Sequence, residues 1–191
     1  MDSPLGESTG AADIFANTGG VMEAALRTAY ELVTGRPLPM ANLHVAPVAG
    51  LTGVKEASVK IEKTLPEWKF LDGVTVNVAV AHGLSNAQRV IGAIKSGEKQ
   101  YHFVEVMTCP GGCIGGGGQP RFTTNEVRQA RIAAIYREDE GREVRKSHEN
   151  PAVCALYEEY LRRAYGPAAV QMRRIHEVVE ESLRHYIIEK P

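Results

Sequence analysis

The chain has 191 residues, of which 43% are hydrophobic and 24% charged, and its formal net charge is −1. This length and composition are typical of an ordinary soluble domain with a sizeable core. A charge near zero argues against nucleic acid or an acidic membrane surface as the main partner, and no apolar run approaches the ~18 residues of a membrane span. Three cysteines and no recognisable signal peptide favour the reducing cytoplasm.

Helix and strand patterns alternate in the first part of the chain. Apolar residues at helical spacing predict two helices: Val21–Thr34, and Asn86–Lys95 with Ser85 as its cap. Segments rich in β-formers predict four strands: Leu43–Val48, Ala57–Ile61, Val74–Ala81 and Tyr101–Met107. This order predicts an α/β fold, with a twisted, mostly parallel sheet of about four strands and helices on both faces.

The remainder of the chain has helical patterns only. Three segments carry them: Thr124–Asp139, Pro151–Arg163 and Val170–Ile188. The densely charged stretch Glu138–Asn150 is predicted to be a solvated loop, and Cys154 a small buried residue. The chain thus divides into an α/β lobe, residues 1–122, and a helical tail, residues 123–191.

The most distinctive chemistry follows the last predicted strand, in TCPGGCIGGGGQP. Cys109 and Cys113 are four residues apart, and six glycines around them let the backbone approach whatever the sulfurs hold. The spacing alone leaves a buried, inert cysteine pair open. A disulfide is less favoured because nothing else in the chain looks secreted, a zinc site because no further Cys or His follows in the loop, and a phosphate loop because Gln-Pro-Arg stands where Gly-Lys-Ser/Thr is needed. Two thiolates in a glycine cradle fit half of a four-cysteine iron–sulfur site best.

A longer stretch, FVEVMTCPGGCIGGGGQP, resembles the last signature motif of the iron-iron (FeFe) hydrogenases, E-x-M-x-C-P-x-G-C-x-x-G-G-G-Q-P. Every fixed position of that motif is matched: Glu105, Met107, Cys109, Pro110, Gly112, Cys113, Gly116, Gly117, Gly118, Gln119 and Pro120. Residues 4–35 are also similar to the catalytic domain of that family, and SHENPAVCALYEEYL is similar to its C-terminal wrapping segment.

The resemblance implies a cofactor and a role for particular residues. The family's H-cluster is a 4Fe–4S cluster joined through one cysteine sulfur to a two-iron subcluster that carries CO, CN⁻ and a bridging dithiolate. By resemblance, Cys109 ligates the 4Fe–4S cluster and Cys113 is the bridging cysteine. Met107 and Phe15 pack around the two-iron unit, and a glycine cradle lies against the cluster: Gly112, Gly116 and Gly117. The implied reaction is the reversible conversion of two protons and two electrons to H₂.

The chain departs from the family pattern in one large respect. The motifs T-S-C-C-P and M-P-C-x-x-K are absent, and residues 1–108 contain no cysteine. We therefore expect the C-terminal lobe of a hydrogenase catalytic domain, incomplete and inactive alone. Its expected partners are the missing N-terminal lobe or a second subunit, and a ferredoxin or NAD(P)-linked electron-transfer subunit. Two alternatives stay open: a non-catalytic iron–sulfur or protein-interaction scaffold related to hydrogenases, and a flavodoxin-like anion or nucleotide-binding module.

Overall fold

The computed structural model describes residues 6–39 and 53–161. The chain forms two compact units. The larger is Ser8–Ser147, and the smaller combines Met1–Glu7 with His148–Pro191. The cysteine loop and all three strands lie in the larger unit.

The sheet of the larger unit has three strands among the described residues: β1 (Val54–Lys60), β2 (Thr75–His82) and β3 (Phe103–Met107), in that order. Strands β1 and β2 are antiparallel, whereas β2 and β3 are parallel. The α/β class is confirmed, but the expected four mostly parallel strands are corrected to three in a mixed sheet. The connection between β1 and β2 contains only a short 3₁₀ turn, Pro66–Leu71, and lacks the crossover helix that parallel neighbours need. The predicted strand Leu43–Val48 lies outside the described residues.

Helices α1 to α4 of the larger unit are Gly10–Ile14, Gly20–Thr34, Leu84–Lys95 and Asn125–Gly141. The predicted cap Ser85 is wrong, because α3 already begins at Leu84 and its N-cap is Gly83 at φ +79°. The Thr124 side chain caps α4 as it accepts a hydrogen bond from the Val127 N–H. The short helix α1 was not expected from its five-residue pattern.

Helices cover both faces of the sheet, as the sequence predicts. On one face, α2 packs against β1 and β2 through a cluster of buried residues: Met22, Leu26, Tyr30, Val59, Val78 and Val80. On the other face, Val90 of α3 covers Ala79 and Ala81. The strict alternation along β2 explains this division, because successive side chains of a strand point to opposite faces.

A third cluster joins α1, α2 and α4 to the cysteine loop. Its buried members are Ala11, Ile14, Ala24, Ile114, Ile132 and Tyr136. Helix α4 continues to Gly141, and the Asp139 side chain near its end is fully buried between Arg27 and Arg145. The prediction of a solvated loop from residue 138 is therefore wrong at its start, because charges that are mutually paired can be buried.

The smaller unit contains α5 (Pro151–Ala155), which continues as a π-helical turn, Leu156–Leu161. The Asn150 side chain caps α5 as it accepts hydrogen bonds from the N–H groups of Ala152 and Val153. Cys154 is exposed, so its predicted burial is wrong; its Sγ donates to the His148 carbonyl oxygen at 3.2 Å.

The rest of the predicted tail, residues 162–163 and Val170–Ile188, lies outside the described residues. Within the described ranges, no helix combines the length and hydrophobicity that crossing a bilayer requires.

Candidate metal centre

The cysteine loop begins two residues after β3 and is built from two successive tight turns. The Gly112 N–H donates to the Cys109 carbonyl oxygen at 3.0 Å, and the Gly116 N–H donates to the Cys113 carbonyl oxygen at 3.1 Å. Both cysteines are free thiols; Cys109 is half-buried and Cys113 is exposed. The two sulfurs are thus held on one short, hydrogen-bonded loop at the carboxyl end of β3.

Two glycines of this loop are required by close approach. Gly112 has φ +89°, and a Cβ there would lie 2.7 Å from the Ala16 carbonyl oxygen and 2.8 Å from the Met107 sulfur. A Cβ on Gly116 would lie 3.2 Å from Cys109 Sγ. Gly117 differs, because a Cβ there would meet no atom within 4 Å. Gly116 therefore packs tightly beside the Cys109 sulfur, Gly112 packs against the Met107 sulfur and the segment before α2, and Gly117 faces open space.

The segment that precedes α2 pairs with the loop, although nearly a hundred residues separate them. The Thr18 N–H donates to the Gly111 carbonyl oxygen at 3.1 Å, and the Ile114 N–H donates to the Ala16 carbonyl oxygen at 3.2 Å. Asn17 and Gly112 form an isolated antiparallel bridge. The structure thus brings residues 16–18 directly onto the cysteine loop.

The two apolar side chains assigned by resemblance flank this contact. Phe15 is the C-cap residue of α1, directly before the paired segment, and its side chain is 45% exposed. Met107 ends β3, and its sulfur accepts a hydrogen bond from the Thr18 hydroxyl at 3.7 Å. Phe15 thus lies next in sequence to the paired segment and is exposed, and Met107 presents a half-buried thioether to Thr18 and Gly112.

Glu105 was identified from sequence only as a motif position, and the structure gives it a definite contact. Its side chain is buried on β3, where Oε1 accepts the Gly19 N–H at 2.6 Å and Oε2 accepts the Met22 N–H at 2.7 Å. Burial raises the pKa of this carboxyl above its ordinary value, and the two backbone hydrogen bonds oppose that rise. The sequence signal was a single acidic residue facing inward on an otherwise apolar strand.

The donor set fits a shared iron–sulfur site. Thiolates are the usual ligands of such clusters, four per 4Fe–4S group, and Gly116 leaves the Cys109 sulfur unobstructed by a side chain. Among the described residues, no third histidine, cysteine or carboxylate joins these cysteines in a group compact enough to hold one metal ion. The loop therefore suits two of the four ligands of a cluster and does not complete the set.

Comparison with known proteins identifies the family. Residues 1–117 match the family described as "Iron only hydrogenase large subunit, C-terminal domain", and residues 125–172 match "Iron hydrogenase small subunit". The NADP-reducing hydrogenase subunit HndD of Solidesulfovibrio fructosivorans is 47% identical over 177 residues, which are 92% of this chain and 28% of that protein. The periplasmic Fe hydrogenase large subunit of Nitratidesulfovibrio vulgaris is 50% identical over 119 residues, covering 62% of this chain and 25% of that subunit.

Solved structures agree with these sequence matches. A variant of the FeFe-hydrogenase HydA1 from Chlamydomonas reinhardtii superposes with a TM-score of 0.63 at 44% identity, covering 84% of this chain and 44% of that one. The chain spans less than half the length of each of these relatives. Since a single family profile matches well over half of its residues, the chain belongs to the family of the iron-only hydrogenase large subunit, C-terminal domain.

Proposed function

We propose that this chain supplies one side of the catalytic site of an iron-only hydrogenase, which interconverts H₂ with two protons and two electrons. One observation carries the proposal: two free thiols lie on a loop whose glycines pack against sulfur, and the segment ending α1 pairs with that loop. The H-cluster, when bound, supplies the redox chemistry at iron. The protein residues supply ligation, shape and exclusion of water.

Each side chain has a distinct role in this proposal. Cys109, half-buried beside Gly116, would ligate the 4Fe–4S cluster, and the exposed Cys113 would be the bridging cysteine of the H-cluster. Met107 and Phe15 line the site and limit the access of water to it. Gly116 lets the backbone approach the Cys109 sulfur, Gly112 lets the loop pack against Met107 and residues 16–18, and Gly117 leaves room on the open side.

The remaining cluster ligands come from outside these 191 residues. The only other cysteine is Cys154, which belongs to the smaller unit. The expected source is an N-terminal hydrogenase lobe or a second subunit that carries the missing cysteine motifs. Electrons then reach the cluster through a ferredoxin or an NAD(P)-linked subunit, a partner class that the NADP-reducing relative supports. We propose a cytoplasmic location; a 50% identical relative is named periplasmic, and cell fractionation would decide between the two compartments.

Anaerobic cluster reconstitution tests this function. The chain is mixed with a polypeptide carrying the T-S-C-C-P and M-P-C-x-x-K motifs, and iron content and the EPR spectrum are measured. We expect stoichiometric iron in the mixture, lost in Cys109→Ser and in Cys113→Ser. Cys154→Ser is the matched control, because it removes the third, exposed thiol outside the loop, and it should keep full iron.

Other outcomes would contradict the proposal. Iron that persists in both loop variants would show that the loop is not the ligand. A cysteine-dependent cluster that shows no H₂ evolution or uptake after a preformed two-iron subcluster carrying CO and CN⁻ is added to the assembly would favour the non-catalytic scaffold. Protection of the loop by a nucleoside phosphate, unchanged in the two cysteine variants, would favour the nucleotide-binding module.

A further inference from the structure

We infer that Glu105 is a positioning residue: its carboxylate ties the start of helix α2 to strand β3 and so sets the geometry of the Cys109–Cys113 loop. The cluster role of this geometry rests on the proposed function. The geometry itself concerns only this chain and can be measured without any metal.

Two backbone hydrogen bonds stabilise the Glu105 carboxylate at its buried position. Glu105 is 6% exposed, and a buried acidic group is costly unless hydrogen bonds replace its lost water. Here each carboxylate oxygen accepts one backbone N–H, from Gly19 and from Met22, at the first turn of α2. Helix N-termini favour negative charge, because their N–H groups are unpaired and carry the positive end of the helix dipole.

The N-terminus of helix α2 has no side-chain cap from its own N-cap residue. The N-cap residue is Gly19, in a left-handed conformation, and no side-chain hydrogen bond caps the helix locally. A carboxylate 86 residues further along the chain does this instead. The start of a fifteen-residue helix is therefore fixed by β3, the strand that leads into the cysteine loop.

The contact between Glu105 and α2 is connected to the cysteines through further hydrogen bonds. The chain closes a ring: β3 leads to the loop, the loop hydrogen-bonds to residues 16–18, these lead into α2, and α2 returns to Glu105 on β3. Gly112, which lies between the two cysteines, packs so closely that this ring of contacts has no free space at that point. Its Cα faces the Ala16 oxygen and the Thr18 nitrogen so closely that an added Cβ would lie 2.7–2.8 Å from each. A displacement at the start of α2 therefore moves the atoms that shape the loop.

The test is the reactivity of the two thiols in the metal-free full-length chain. Under native conditions, alkylation followed by peptide mass spectrometry should modify the exposed Cys113 faster than the half-buried Cys109. Glu105→Gln keeps the size of the side chain but leaves one acceptor oxygen and turns an amide N–H₂ toward a backbone N–H. Loss of a hydrogen bond to a charged group makes local opening roughly tenfold or more frequent. We expect Cys109 to react faster by that factor, so that the difference between the cysteines shrinks.

Two control variants separate positioning from general destabilisation. Val90→Ala removes buried volume from the separate core cluster between α3 and the sheet, which contains neither Glu105 nor Met22, and should leave the ratio of the two rates unchanged. Glu126→Gln removes a carboxylate from the exposed first turn of α4 and should also leave it unchanged. If Glu105→Gln leaves the ratio unchanged, or if Val90→Ala shifts it equally, the positioning role is refuted.

A conservative variant keeps the test decisive if the glutamine variant does not fold. Glu105→Asp retains the charge but shortens the side chain by one methylene, so it should raise Cys109 reactivity above that of the unaltered chain. An aspartate variant with an unaltered ratio would refute the role of carboxylate reach. Failure of iron binding would count against the proposed function alone, because thiol reactivity is read in the metal-free chain.

Discussion

Replacing Asp139 with asparagine would test whether a buried ionic network fixes helix α4 onto the larger unit. Both carboxylate oxygens accept hydrogen bonds from Arg27 at 2.8 Å, and Arg145 adds bonds of 2.6 and 3.3 Å. Arg27 is also paired with Glu23, which accepts a hydrogen bond from the Tyr136 hydroxyl at 2.8 Å. The two carboxylates and two guanidinium groups balance to zero, and the asparagine variant leaves one buried positive charge uncompensated.

The size of the effect follows from the burial of the partners. Removing one member of a buried ion pair costs about 3–5 kcal/mol. The Arg145 side chain is 39% exposed, so water can solvate part of the released charge, and we expect the lower end, about 3 kcal/mol. With a urea dependence of about 2 kcal/mol per molar, the unfolding midpoint should fall by about 1.5 M.

The assay is urea unfolding followed by far-UV circular dichroism. Asp72→Asn is the matched control: it removes a surface ion pair with Lys69, while the asparagine oxygen can still accept the Lys63 N–H, so the midpoint should not move. An Asp139→Asn midpoint within about 0.5 M of the unaltered chain would refute the reasoning, since the network would then contribute little to stability.

Three further expectations follow from the same structure. Gly112→Ala should lower the free energy of unfolding by about 2 kcal/mol or more, because the residue has φ +89° and its new methyl group would lie within 3 Å of neighbouring atoms. Gly117→Ala should leave that free energy unchanged, and urea melts of both variants measure the difference. Burial alone would raise the pKa of Asp139, but the two guanidinium groups outweigh it and hold the pKa below its ordinary value. The stability that this group adds is therefore present above its unfolded pKa and lost as pH falls through its lower folded pKa, and acid melts of Asp139→Asn should lack this loss. Burial lowers the pKa of Lys55 from 10.5 to about 8, so the unfolded chain binds more protons than the folded chain between these pH values. The contribution of this group to the free energy of unfolding is therefore complete above pH 10.5 and lost as pH falls through 8. Lys55→Met should remove this pH dependence from melts between pH 7 and 10.5.

Local patterns were sufficient to predict the central elements. Helix α2 begins one residue before the predicted start and ends where predicted, because its apolar residues repeat at helical spacing and Gly35 terminates it in a left-handed conformation. Strand β2 lies within one residue of its prediction at each end, because its run of valines and alanines, apolar on both faces, is a strong strand pattern. These signals lie within a few residues of the elements they specify.

The features that the sequence did not reveal depend on contacts between distant residues. Glu105 caps a helix 83 to 86 residues away, and Asp139 pairs with Arg27 across 112 residues. Neither partner is signalled by a spacing or a local composition. The direction of β1 relative to β2 depends on the connection between the two strands. The prediction for Cys154 used the average preference of cysteine for burial, but its exposure depends on the residues that surround it in the fold.

Helix α2 connects the two parts of the site region, and it does so through different groups. Backbone N–H groups at its start donate to Glu105 and follow the segment paired with the cysteine loop, whereas the side chains of Glu23, also in the first turn, and of Arg27, four residues later, hold α4 through Tyr136 and Asp139. Helix α4 also reaches the loop directly, since the Arg131 guanidinium donates to the Ile114 carbonyl oxygen at 2.6 Å.

The two anchors are therefore separable by experiment. Loss of the Asp139 network releases the end of α4 but leaves the Glu105 contact intact, so it should lower stability while Cys109 remains less reactive than Cys113. Loss of the Glu105 contact acts on the start of α2 and should reduce that difference in reactivity. Because one helix carries both anchors, one through backbone N–H groups at its start and one through the Glu23 and Arg27 side chains, it can orient α4, within the region that matches the small subunit, and the cysteine loop against the same sheet.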